Sequence, residues 1–215
     1  GAGKTTVMRS ISGIIQATSG RIVVNGHEMS RSEQQAKRSL AFVPEVPNPY
    51  EMLTVYEHIR FVAMAYDTMH DFDRRATDLL ERFDLMEKRD ALVLTHSKGM
   101  KQKLAVACAF IHDARVLLFD EPLIGIDPRG ARELKNMMLA SKQNGCSILV
   151  STHMLDTAER LCDRILIIDH GRKLAEGSLA ELSISADMHQ DASLEDLFLK
   201  LTEQAPDHST PGSSK

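Results

Sequence analysis

Gly1-Ala2-Gly3-Lys4-Thr5-Thr6 decides the reading of the whole chain. These residues match the closing half of a phosphate-binding loop, G-x-x-x-x-G-K-[ST]. In such a loop the glycines let the backbone curl until its N–H groups face a polyphosphate. Lys4 reaches the β- and γ-phosphates, and the Thr5 hydroxyl is a ligand for Mg²⁺. A helix that follows the loop turns the positive end of its dipole on the same anion. The apolar spacing of Val7, Met8, Ile11, Ile14 and Ile15 predicts that helix. The first glycine of the motif falls upstream of residue 1, so the chain is expected to start inside the loop. A Gly-rich terminus that happens to precede Lys-Thr-Thr is the plain alternative, and the stretch alone does not separate the two.

A second stretch, Val116-Leu117-Leu118-Phe119-Asp120-Glu121, strengthens the first. Its apolar residues predict a buried strand, and two carboxylates stand at the C-terminal tip, where open α/β sheets bind their ligands. Asp120 can hold Mg²⁺ directly or through water. Glu121 can orient or deprotonate an attacking water. A solvated acidic turn is the plain reading of one such acid. A phosphate loop with no metal-holding carboxylate is chemically incomplete, however, and that favours the pair.

Between and beyond these anchors the pattern alternates. Arg21 to Val24 reads as a short strand closed by the turn pair Asn25-Gly26. Leu40 to Val43 reads as a buried strand stopped by Pro44, and Glu45 to Glu51, with Pro47 and Pro49, as an irregular connector. Thr54 and Glu57 fit a capping box, opening a helix with Val55, Ile59, Val62, Ala63 and Tyr66 on one face. A second helix is expected near Phe72 to Phe83. Asp127-Pro128 is a helix start and Asn144-Gly145 its end. Ser147 to Ser151 and Ile165 to Ile168 read as further strands, and Ser193 to Leu201 as a short amphipathic helix. Strands alternating with helices imply a parallel sheet covered on both faces. The expected division is a core of residues 1–52 and 112–182, an inserted helical block at 53–111, a helical extension at 183–203 and a disordered tail at 204–215.

Bulk properties narrow the function. The chain has 215 residues, 43% hydrophobic and 26% charged. That suits one globular domain, with room for a subdomain. A net charge of −4 offers no basic field for nucleic acid, which is therefore not an expected partner. Cys108, Cys146 and Cys162 lack metal-ligand spacing and read as reduced core thiols. No apolar run approaches the roughly 18–20 residues of a membrane span.

With these residues in place, the chain resembles the nucleotide-binding subunit of an ATP-binding cassette (ABC) transporter, over roughly residues 1 to 203. The motifs follow the family's order. Gly1 to Thr6 is the partial phosphate loop, and Glu45 holds the place of the family's Q-loop glutamine. His96-Ser97-Lys98-Gly99-Met100 resembles the signature Leu-Ser-Gly-Gly-Gln. Asp120 and Glu121 match the Walker B pair, Gly125-Ile126-Asp127 the D-loop, and His153 the switch histidine. The resemblance implies an α/β phosphate-loop NTPase fold of the RecA-like kind, with a mainly parallel sheet and an inserted ABC-type helical subdomain. It implies ATP and Mg²⁺ as cofactors. Lys4, Glu121 and His153 would be catalytic. Gly1, Ala2, Gly3, Lys4, Thr5, Thr6, Glu45, Ser97, Gly99 and Asp127 would bind nucleotide, and Thr5, Asp120 and Glu45 the metal.

It further implies two nucleotide-binding subunits, identical or paralogous, clamping ATP head to tail, so that Ser97 of one reaches the γ-phosphate held by Lys4 of the other. A merely capped helix is the plainer reading of Ser97 taken alone, and a structural role that of His153. Separate transmembrane permease subunits would supply the pore, placing the chain at the cytoplasmic face of a membrane. Glu45 in place of glutamine, and Lys98 and Met100 within the signature, depart from the general pattern and resemble a bacterial exporter-type subgroup. A soluble ABC ATPase acting on ribosomes or nucleic acid is the competing reading.

Overall fold

The computed structural model describes residues 2–189 and 192–203. The expected disordered tail at 204–215 lies outside them, as does Gly1. Along the chain the elements are α1 (Lys4–Ile11), β1 (Val23–Val24), β2 (His27–Glu28), α2 (Glu33–Arg38), β3 (Leu40–Val43), α3 (Val55–Ala65), α4 (Phe72–Arg82), α5 (Lys98–Ile111), β4 (Val116–Asp120), α6 (Pro128–Gln143), β5 (Ser147–Ser151), α7 (Leu155–Leu161), β6 (Ile165–Asp169), β7 (Arg172–Gly177), α8 (Leu179–Ser185) and α9 (Leu194–Glu203). They fall into two compact units, one of residues 5–152 and one of residues 1–4 with 153–215.

The larger unit is built on a parallel sheet in the order β3-β4-β5, with Leu40 opposite Val116 and Val116 opposite Ser147. Successive side chains on a strand point to opposite faces, and that alternation divides the core. Ala41, Val43, Leu117 and Phe119 join one apolar cluster, with Ile148 and Val150 at its margin and residues of α3, α4, α5 and α6. Leu40 and Leu118 join the other, with Met8 of α1, Ala36 of α2 and Val24 of β1. The sheet is therefore covered on both faces, as parallel sheets require.

Local signals set the helix ends. The Thr54 side chain accepts the Glu57 N–H at 3.2 Å while the Glu57 carboxylate accepts the Thr54 N–H at 2.8 Å, the full capping box. Asp127 caps α6 by accepting the Gly130 N–H at 2.9 Å. α1 is shorter than expected. Gly13, at φ 70°, ends it in the left-handed conformation, and the N–H groups of Gly13 and Ile14 return to the carbonyls of Ser10 and Arg9. Ile14 and Ile15 therefore leave the apolar face and are exposed.

In the smaller unit, β6 is not a third parallel strand of the kind expected. It pairs antiparallel with β7, Ile165 opposite Gly177. The cause is the two-residue turn His170-Gly171, with φ of 45° and 73°, which can only fold a strand back on itself. Ile167 packs there with Leu182 of α8 and Leu194 and Leu197 of α9.

The helical region of the larger unit buries two histidines, His58 on α3 and His112 just after α5. Burial lowers the pKa of both; for His112 the hydrogen bond to the Arg38 carbonyl works against it. A histidine whose pKa falls on folding binds fewer protons in the folded state, so its contribution is intact above the unfolded value of about 6.5 and is lost as pH falls below it. The melting temperature is expected to hold from about pH 8 to pH 7 and to drop between about pH 6.5 and pH 5. The drop should be shallower in His58→Gln and His112→Gln, as read by calorimetry across pH.

Candidate nucleotide site

Asp120 is the last residue of β4, and its parity with Leu118 directs it to the sheet face that α1 covers. It is almost completely buried. One carboxylate oxygen accepts from the Ser151 hydroxyl on the paired strand β5, while Oδ2, equally buried, has no hydrogen-bond partner. A buried carboxylate oxygen without a donor is costly unless a cation or its water shell faces it. The unpartnered Asp120 oxygen thus fits a hard, oxygen-binding cation, which Asp120 could hold.

Glu121 follows at φ 48°, a conformation that costs a residue with a Cβ. Its N–H donates to the Ser151 carbonyl at 2.9 Å, which fixes the twist. Asp120 and Glu121 are thereby held as a rigid pair at the tip of the central strand. Sequence reasoning missed Ser151, the residue that orients Asp120; its only signal was a polar side chain closing an apolar strand.

A second group forms at the start of α5. Ser97 is exposed and caps the helix, its hydroxyl accepting the Met100 N–H at 3.2 Å. Gly99 lies against the loop before α6, and a Cβ there would stand 2.3 Å from the Gly125 carbonyl oxygen. No other residue fits that approach. Lys103, buried on the same helix, pairs with Oδ2 of Asp127, whose Oδ1 already holds the Gly130 N–H. The Lys103 hydrogen bond, followed by that of Gly130, holds the Asp127 carboxyl below the usual range. Asp127, expected to face nucleotide, has both oxygens engaged within its own chain. His96 fills the place of the signature leucine as a buried ring bonded through Nδ1 to the Leu92 carbonyl at 3.0 Å.

The remaining expected residues are placed separately. Thr6 is exposed on α1, and Glu45 is exposed on the connector that leaves β3. In the smaller unit the Ala2 carbonyl accepts the Gly171 N–H at 3.0 Å, and Gly3, at φ 101°, requires the freedom of glycine. Lys4 opens α1, and His153 is exposed, just ahead of α7.

A helix begun by Gly-Lys-Thr, on the sheet face toward which a buried and half-unpaired aspartate points, is the arrangement of a phosphate-loop nucleotide-binding fold. Comparison with known proteins gives the family. Residues 1–124 match the model of the ABC transporter family. The chain is 40% identical over 210 residues to the ABC-type transporter ATP-binding protein EcsA of Bacillus subtilis (strain 168), covering 97% of this chain and 84% of that protein. It is 36% identical to the Nod factor export ATP-binding protein I of Rhizobium sp. (strain N33), covering 83% of this chain and 59% of that one. A solved ATP-binding subunit of an ABC transporter superposes with a TM-score of 0.89 at 38% identity, covering 94% of this chain and 84% of that structure. The chain belongs to the ABC transporter family, as one of its ATP-binding, ATP-hydrolysing subunits.

The Asp127 arrangement makes a quantitative prediction. Asp127→Ala removes an N-cap, at about 1 kcal/mol, and strands the buried Lys103 ammonium, at about 1–3 kcal/mol more. Urea unfolding at neutral pH should show a loss of about 2–4 kcal/mol, and Lys103→Met in the same background should recover part of it by removing the stranded charge.

Proposed function

We propose that this chain holds Mg²⁺-ATP and hydrolyses its β–γ phosphoanhydride through the residues named above. The observation that carries the proposal is the buried, donor-free Oδ2 of Asp120 beside the constrained Glu121. Lys4 and the loop N–H groups of Ala2 and Gly3 neutralise the phosphates, and Thr5 and Asp120 hold the metal, with Glu45 close to them in role. When bound, the metal withdraws charge from the phosphate oxygens. Glu121 positions a water and takes its proton as the water oxygen bonds to the γ-phosphorus and the bond to the β-phosphate oxygen breaks, giving ADP and phosphate. His153 stabilises the charge spread over the equatorial oxygens. Ser97 completes the site of a second copy, or of a paralogue, docked head to tail. Its exposure at the N-terminus of α5 supports that reading.

Separate membrane subunits complete the machine. No helix among the described residues is long and apolar enough to cross a membrane. Val46 and Tyr50 on the connector, Met52 just after it, and Phe61 and Met64 on α3 expose large apolar side chains, Met52 to 76%. Exposed apolar side chains of this size mark a partner surface where they adjoin; Tyr50 and Phe61 are in ring contact, and Val46 and Tyr50 lie on the connector that carries Glu45. We take this surface as the face that receives the permease, at the cytoplasmic side of the membrane. The relative named for Nod factor export, together with Glu45, Lys98 and Met100, supports export and a bacterial exporter-type subgroup.

Glu121→Gln keeps the shape of the side chain and removes the base. With Mg²⁺-ATP, phosphate release by the variant is expected to fall by about 100-fold or more, with nucleotide affinity within about threefold of wild type. Hydrolysis at the wild-type rate would exclude Glu121 from the chemistry.

A further inference from the structure

The connector that carries Glu45 is fastened to the helix that carries Ser97. Glu51 Oε1 lies 2.6 Å from Lys101 Nζ, across fifty residues of chain. On the same short stretch the Leu94 N–H donates to the Glu51 carbonyl at 3.0 Å, and the Val93 N–H to the Leu53 carbonyl at 2.9 Å. Thr54 and Leu92 form an antiparallel bridge. The connector's other hold is on α3, where the Tyr50 ring meets Phe61 edge-on at 5.3 Å and lies tilted over His58 at 5.8 Å. The end of the connector is thus stitched to the residues just before Ser97 by backbone and to those just after it by charge.

The charge stitch answers a local problem. α5 begins with Lys98, Lys101 and Lys103 and has no acidic residue in its first turn. Cations at a helix N-terminus oppose the dipole. Lys103 is neutralised by Asp127 and Lys101 by Glu51, so both compensating carboxylates come from outside the helix, one from the loop before α6 and one from the connector. Lys101 also donates its backbone N–H to the Ser97 carbonyl at 3.0 Å, in the turn whose side-chain cap is the Ser97 hydroxyl. A pull on Lys101 is therefore a pull on that turn.

We propose that Glu51 and Lys101 are positioning residues, an ion pair by which a shift of the Glu45 connector reorients Ser97 toward the nucleotide of a second copy. This rests on the head-to-tail reading above. Neither residue touches nucleotide. Glu51 reports the connector's position, and Lys101 carries it to the serine. Because the pair is partly exposed, its strength is that of a surface ion pair, and it weakens with salt.

The test uses the 215-residue chain as wild type, Glu51→Gln, Lys101→Gln and the exchange of Glu51→Lys with Lys101→Glu. Two readouts separate the tie from the function it serves. Amide hydrogen exchange at Met100 and Lys101 without nucleotide reads the tie itself. Each single variant is expected to exchange about 1.5- to 5-fold faster, the range of exposed ion pairs, and the exchanged pair to return to the wild-type rate. Self-association on adding Mg²⁺-ATP, followed by ultracentrifugation, reads the coupling. Both singles should weaken it by a similar factor with the affinity of one chain for ATP unchanged, and the exchange should restore it. Unaltered amide exchange in the singles, or singles that the reversed pair fails to rescue, overturns the tie. A wild-type chain that stays monomeric at saturating ATP, with amide exchange responding as expected, overturns the head-to-tail reading instead.

Discussion

A carboxylate at the end of a strand buried on both faces is the constraint on which the rest depends. β4 lies between β3 and β5, and its side chains are committed in alternation to two apolar clusters. The strand must end where the clusters end, and the chain places Asp120 there, 1% exposed. Burying an ion costs several kcal/mol unless charge or hydrogen bonds compensate. The Ser151 hydroxyl compensates one oxygen only. What remains is an electrostatic demand that a cation would meet, and the left-handed turn at Glu121 sets a second carboxylate next in the chain. The sheet thus fixes both the position and the charge of the site.

The start of α5 shows the opposite strategy. A helix that presents Lys98 and Lys101 to its own positive end, and buries Lys103 one turn further in, is locally unfavourable. Only contacts from other segments make it acceptable, and they come from the two places whose motion matters to the proposed cycle: the connector after β3 and the loop before α6. Gly99 adds a steric version of the same dependence, since its contact with the Gly125 carbonyl leaves no room for a side chain. The signature turn is accordingly held from both sides and has little freedom to move alone. Its departures from the usual signature, Lys98 and Met100, sit within a turn whose geometry is preserved by these outside contacts.

Much of this fold was legible in the sequence where a signal spans three or four residues. Thr54 with Glu57, Asp127 with Pro128, and Ser97 before an apolar run each marked a helix start, because the cap and the N–H it binds are three residues apart. The strands Leu40–Val43 and Ser147–Ser151 were legible as apolar runs bounded by turns. β7 was not, since Arg172-Lys173-Leu174-Ala175-Glu176 half-buries only Leu174 and Ala175 and offers no alternation strong enough to read. α8 escaped although Ser178 and Glu181 form the same capping box as α3, for its seven residues show little periodicity. The residue types of the candidate site were legible through order and spacing. Their partners were not: Ser151 to Asp120, Lys103 to Asp127 and Glu51 to Lys101 are pairings across the fold, and nothing local in the chain announces which polar side chains will meet.

The difference between those two kinds of information bears on how the machine works. The groups legible from spacing are those we propose for the chemistry, and each is useful there only if held in a set orientation. The groups visible only in the fold supply that orientation. Ser151 turns Asp120, and Lys103 takes up the Asp127 carboxylate, making of it a fastening between α5 and α6. The Glu51–Lys101 tie, partly exposed, is weaker than these buried pairings, since an exposed pair contributes about 0.2–1 kcal/mol. Modest strength is what a moving part requires. A tie worth many times the thermal energy would lock the connector to the signature helix in one geometry and leave ATP nothing to shift, whereas one of about this size can be biased by the differential binding of a nucleotide and released when that nucleotide is cleaved.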